Sequence, residues 1–316
     1  ESESRFLRLR FVRSRRSHGY AVRRVRLQPI AFSASPNQFF DRVAQEEPHG
    51  RFPRYLLGQQ TYWTVVGVPG DSQKALLNED GMIEVERGGF SIEPFISAEN
   101  RLVTWADVET TPALEDDALP MPSVVWRHPA VALRVTAFAS GTPGASMLYG
   151  RYTVSNPTDR RLTGKFYLAI RPYQVLPPWQ DLNMVGGVSP IREIRYESGV
   201  VRVNRSKVVV PFPAPTSFDA AAFEEGGLTS MLNGGRVTPR TDVSDPTGFA
   251  AGILAYVLDL APGARTEVDV AVPFHEPYVE PLTALDTRDA QKMVAAEFQV
   301  TRKHGTEIVF TGKLWN

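Results

Sequence analysis

The feature that most constrains this chain is the texture of residues 61 to 273. Short runs of β-forming residues recur there, each closed by Gly, Pro, Asn or Asp: TYWTVVGV, MIEVE, FSIEPFI, VALRVTAFA, MLYGRYTVS, LTGKFYLAI, VVRVN, KVVVPF, ILAYVLDL and TEVDVAVPF. A strand shows alternate side chains to opposite faces, so runs of this kind hide one face and must stack on another sheet to do it. Many short alternating strands with turn residues between them predict a mainly β protein built as a large antiparallel two-sheet sandwich. The chain is long enough for it: 316 residues at 42% hydrophobic and 22% charged supply an ordinary globular core. Two stretches read as hairpins, one turning at Asn156-Pro157-Thr158-Asp159 and one at Pro262-Gly263.

Outside that span the pattern changes, and four segments are expected: 1–29, 30–60, 61–276 and 277–316. From Arg5 to Leu27, RFLRLRFVRSRRSHGYAVRRVRL reads as two strands about a turn at Ser17-His18-Gly19, too few to bury a core alone. Its arginines are read as a solvated strand face rather than a phosphate or acidic-glycan site. In SPNQFFDRVAQEEPHG a short helix is expected, with Asn37 as cap, Phe39, Phe40 and Val43 on one face, and Pro48 and Gly50 as the stop. The single long helix is expected in TALDTRDAQKMVAAEFQVTRKHG, capped at Thr283 or Asp286 and stopped at Gly305.

Charge and cysteine usage narrow the function classes. Thirty-five basic residues balance 35 acidic ones, so no global field draws the protein to nucleic acid or an anionic membrane. Cysteine is absent, which removes disulfides, thiolate metal sites and cysteine nucleophiles. No apolar run approaches the roughly 18 residues of a membrane span, and no signal peptide is visible. The first residue is Glu1, so the chain reads as an excised piece, with a periplasmic or extracellular address open. His18, His49, His128, His275 and His304 are widely separated and form no HxH or HExxH pattern, and neither a metal nor a cofactor is expected.

The loop in FYLAIRPYQVLPPWQDLNMVGGVSP carries the most suggestive chemistry. Tyr173 and Trp179 offer aromatic faces for sugar C–H groups, and Gln174, Gln180, Asp181 and Asn183 offer partners for hydroxyls. The same residues suit a plug that closes a sandwich edge or docks a neighbouring domain, and the prolines that stiffen the loop favour docking. Glu115-Asp116-Asp117 read as solvated loop acids rather than a hydrolytic pair. Trp63, Trp105 and Trp126 read as core.

Two resemblances rest on these segments. RFLRLRFVRSRRSHGYAVRRVRLQP resembles the closing strands of a discoidin (factor V/VIII type C) domain, a jelly-roll module. The stretch from YLLGQQTYWTVVGV through AVPFH resembles the β-supersandwich that precedes an (α/α)6 barrel in bacterial proteins related to glycoside hydrolases and phosphorylases. This second likeness implies a non-catalytic accessory domain packed against a catalytic barrel, whose acid and base lie on the barrel. The alternatives are an autonomous carbohydrate-binding module and an aldose-epimerase-like enzyme. Because supersandwich folds also occur in sugar mutarotases, His128 with Glu93 or Asp107 is the proton-transfer set to look for. The expected partners are a carbohydrate or a neighbouring catalytic domain.

Overall fold

The computed structural model describes residues 32–99, 101–115, 119–180, 184–225 and 240–275, with positions 8, 25, 27, 232, 289–292 and 294. The discoidin-like strand pair therefore lies outside the described residues, apart from those isolated positions, as do Asp116 and Asp117 and most of the C-terminal segment.

One α-helix, α1 (Pro36–Glu46), precedes a strand-rich body. Its strands are β1 (Trp63–Val66), β2 (Ala75–Asn78), β3 (Ile83–Glu84), β4 (Ser91–Ala98), β5 (Arg101–Val103), β6 (Glu109–Glu115), β7 (Leu119–His128), β8 (Val131–Thr142) and β9 (Ala145–Ser155). After these come β10 (Leu162–Arg171), β11 (Glu193–Glu197), β12 (Val200–Val203), β13 (Lys207–Phe212), β14 (Ser217–Ala221), β15 (Asp242–Ser244), β16 (Ala251–Leu260) and β17 (Arg265–Pro273). They form an eight-stranded sheet, ordered β1-β2-β3-β4-β10-β16-β14 with β5 beside β4, and a nine-stranded sheet, ordered β15-β11-β12-β13-β17-β9-β8-β7-β6. All pairings between named strands are antiparallel. The two-sheet antiparallel sandwich expected from the alternation is the observed fold.

Between the sheets lies one large apolar core, to which β9 gives Leu148, Tyr152 and Val154, β10 gives Phe166, Leu168 and Ile170, and β17 gives Val268, Val270 and Val272. Side chains of this size contribute roughly 1.5–3 kcal/mol each on full burial. The two expected hairpins are not hairpins. β9 and β10 belong to different sheets, as do β16 and β17, so each connection is an arch that crosses the core. The reason is that both strands of each pair carry a largely apolar inner face; stacked face to face they hide both, and Tyr152 meets Phe166 at 5.7 Å across the gap. Buried Asn156 joins the two arches: its Nδ2 donates to the carbonyls of Leu260 at 3.0 Å and Ala261 at 3.1 Å, and its backbone N–H donates to Ala264 at 2.9 Å.

Helix α1 is capped two residues before the expected cap, Asn37. Ser35 caps it, accepting the N–H of Gln38 at 3.2 Å, and Pro36 occupies the first turn. Its Phe40 and Ala44 pack with Phe52, Tyr55, Leu56, Met82, Tyr173 and Val175 in a cluster outside the main core. On the outer face of the nine-stranded sheet, Ala290 is buried with Phe138, Tyr149 and Ala271, and residues 289–292 and 294 are helical, inside the segment expected to hold the long helix.

Candidate functional site

The candidate site is the loop from Pro172 to Pro190, which leaves the end of β10 and returns toward β11. Its base is held from three directions. From β3, the Glu84 carboxylate accepts the N–H of Val175 at 2.7 Å, Leu176 at 3.1 Å and Gly88 at 2.8 Å. From α1, Asn37 Nδ2 donates to the carbonyl of Gly186 and its Oδ1 accepts the N–H of Val188, both at 3.0 Å. The residue expected to cap the helix is thus the latch between helix and loop. From the short helical turn at Arg54–Leu57, the Tyr55 hydroxyl donates to the carbonyl of Gly187 at 2.7 Å. Gly187 has φ +98° and a Cβ there would collide with Asn37, so only glycine fits under the latch.

Beneath this loop lies a buried charge pair. Glu93 on β4 accepts from Ser91 Oγ at 2.7 Å and from Arg171 Nη1 at 3.0 Å, while Arg171 also donates to the carbonyl of Arg51 at 2.8 Å. The Arg171 guanidinium sits 4.6 Å from the ring centre of Tyr173 and 5.0 Å from that of Phe52. Burial raises the Glu93 carboxyl, outweighing the opposing pull of Arg171 and Ser91. The Glu84 carboxyl is pushed up to about 7, first by burial and against the three N–H groups that face it.

The loop residues named from sequence divide sharply. Tyr173 and Gln174 are buried, each 3% exposed, Tyr173 against Phe40 and Phe52 and Gln174 through its Nε2 bond to the carbonyl of Val188 at 3.3 Å. Trp179 is 52% exposed, its ring edge-on to Tyr55 at 6.3 Å, and Val185 is 73% exposed. Gln180 is half-buried next to Trp179. Asp181 and Asn183 lie outside the described residues. The described part of the loop is therefore a buried, multiply hydrogen-bonded base that presents an indole and a valine at its tip.

Of the proton-transfer candidates, His128 and Asp107 share one surface hollow, and Glu93 does not. His128 ends β7 and its Nδ1 accepts the N–H of Ala130 at 3.2 Å. Asp107 ends a short helical turn capped by Thr104 and reaches back to it, accepting from Thr104 N at 2.9 Å and Thr104 Oγ1 at 2.7 Å. These two line one open surface hollow with Glu109 and Arg127. Glu93 is elsewhere, beside Asp80, Trp105 and Trp126 around a cavity too small for a sugar. Trp126 is core, 1% exposed, and donates to the carbonyl of Asp80 at 3.0 Å; Trp63 and Trp105 are half-buried.

Sequence reasoning missed a second polar cluster. Asp71 accepts from Ser146 Oγ at 2.5 Å, from Gln73 N at 3.0 Å, from Gly144 N at 3.2 Å and from His275 Nε2 at 2.8 Å. Burial works to raise this carboxyl, but the donors override it and hold Asp71 well below the usual carboxylate range. The serine proton is directed at the carboxylate and not at the imidazole, so the trio is a clamp joining residues 71, 146 and 275 and not a nucleophile with its base. Among the described residues no group of three or more His, Asp or Glu side chains is placed to hold a metal, and no helix is long and apolar enough to cross a membrane.

No protein-family model and no curated protein matches the chain. Several solved structures align with part of the chain. A bacterial glucoamylase complexed with acarbose aligns at 9% identity and a TM-score of 0.44, over 77% of this chain and 39% of its own. A putative aldose 1-epimerase from Escherichia coli K12 aligns at 10% identity and 0.37, over 68% and 99%. A putative kojibiose phosphorylase from human microbiome aligns at 10% and 0.32, over 78% and 29%. The chain thus spans well under half of the glucoamylase and the phosphorylase. Likenesses this distant do not carry an activity across.

Proposed function

We propose that this chain is a non-catalytic accessory domain of a carbohydrate-active multidomain protein, and that the tip of the 172–190 loop docks a neighbouring helical catalytic barrel. The observation that carries the reading is the contrast within one loop. Its base is fixed by Glu84, Asn37 and Tyr55, while its tip exposes Trp179 and Val185. An exposed aromatic on a preorganised support is how interface anchors are built, because little conformational entropy remains to be lost on docking. The resemblance of the sandwich to the β-supersandwich of barrel-bearing proteins supplies the partner. The segment boundaries at residues 29, 60 and 276 belong to this proposal, with the amendment that α1 is packed on the sandwich and is more than a spacer.

A second reading, an autonomous sugar module, draws on the same exposed indole with Gln180 beside it. One comparison separates the two. The chain and its Trp179→Ala variant are tested by calorimetry against a glycan panel and against the helical domain of the parent protein. Docking predicts no glycan binding and at least tenfold weaker association of the variant with the helical domain, about 1.4 kcal/mol or more. Glycan binding that depends on Trp179 would refute it.

A further inference from the structure

The eight-stranded sheet ends at β1, whose far side pairs with no described strand. The backbone bond from Glu79 N to Tyr62 O, at 3.3 Å, sets the alternation of the β1–β2 ladder. Thr64 and Val66 accordingly bond inward to β2, and the N–H and C=O groups of Trp63 and Val65 point to the free edge. The other sheet ends are guarded. β6 carries Pro112 between Glu109 and Glu115, β15 carries Asp242, and β5 carries Arg101. β14 carries Asp219, and the N–H of Ala220 is taken by the carbonyl of Arg240 at 2.9 Å. β1 has none of these devices: residues 61 to 68 hold no charge and no proline, and Tyr62 is 69% and Val65 54% exposed.

We propose that β1 is a self-association edge, pairing antiparallel with β1 of a second copy about a two-fold axis through Thr64. In that register Trp63 and Val65 of one copy exchange both backbone hydrogen bonds with Val65 and Trp63 of the other. Thr64 faces Thr64, and Tyr62 faces Val66. An antiparallel two-fold axis sets a strand against itself, so a single charge near its centre would meet its like; β1 is the described edge whose sequence avoids this. The face that Tyr62 and Thr64 share opens on a groove of about 350 Å3 between the sheets, lined also by Leu77, Pro112, Leu114 and Val124, and the paired strand would close its rim. This inference is independent of the role assigned to the 172–190 loop.

The chain has no cysteine, so one introduced thiol reports cleanly. In the proposed register residue 64 forms a non-hydrogen-bonded pair, with Cα atoms about 4.5 Å apart, within disulfide range. Thr64→Cys is expected to oxidise to a covalent dimer far more completely than Thr163→Cys, an exposed position on the interior strand β10. Sedimentation equilibrium of the wild type should move from 35.1 kDa toward twice that mass with concentration. Val65→Lys should return it to the monomer mass, and Val257→Lys, at an exposed valine away from the edge, should not. A wild type that stays monomeric across the series, equal cross-linking at residues 64 and 163, or a dimer that survives Val65→Lys would each overturn the proposal; the last would show that another surface or another segment is the contact.

Discussion

Glu84 shows how much one side chain can decide. Its strand was legible in MIEVE, but its burial was not, because the loop that covers it arrives from residues 172–190. With its carboxyl pushed up to about 7 in the folded chain against an ordinary value of 4.5, Glu84 binds its proton more tightly when folded. Its contribution to stability is therefore complete below about pH 4.5 and is lost as pH rises through about 7. Between about pH 5 and pH 7 this group should lower the unfolding free energy by on the order of 2 kcal/mol, and Glu84→Gln should reduce the slope of stability against pH in urea titrations by that amount. An unchanged slope in the variant would show that Glu84 does not titrate there. Asp71 has the opposite sign: held low, it stabilises above its range and yields only in strong acid, so it leaves the same window flat.

At the scale of elements, the loop and α1 form one unit. Tyr173→Ala removes a ring packed between Phe40 and Phe52 and a cover for Arg171, and should cost about 3–5 kcal/mol. Trp179→Ala, at a half-exposed position, should cost no more than about 1 kcal/mol. The comparison of urea midpoints checks both, and equal losses would mean that the tip is structural as well. Strands differed in legibility for local reasons. β9, β10, β16 and β17 are long and carry apolar residues on their inner faces, and stand out from sequence. β6 and β7 were hidden by Pro112, Pro120 and Pro122, and β2 by its shortness and its Ala and Leu content.

For the whole molecule, the candidate acids and base are each engaged in a separate local task. Glu93 is in a buried ion pair, Asp107 reaches back to the capping Thr104 of a short turn, and His128 accepts an N–H at a strand end. Paired-acid glycoside hydrolysis needs two carboxyl groups about 5–10 Å apart across an open cleft. The purified chain is expected to show no turnover of aryl glycosides. Turnover that survives purification and disappears in Glu93→Gln or Asp107→Asn would place a catalytic centre in the sandwich.

The sequence by itself determined the class of fold, because period-2 alternation with Gly and Pro punctuation leaves a chain of this length few ways to hide its apolar faces other than stacking two sheets. It also contained the helix at residues 36–46 and the candidate loop. Only the tertiary structure decided which strands pair and which stack: a turn such as Asn156-Pro157-Thr158-Asp159 serves a hairpin or an arch equally well, and the choice is made by the faces that meet across the core. The division of the loop into a buried Tyr173 and an exposed Trp179 was likewise decided from outside the loop, by Asn37, Tyr55 and Glu84, since burial is a property of what covers a residue.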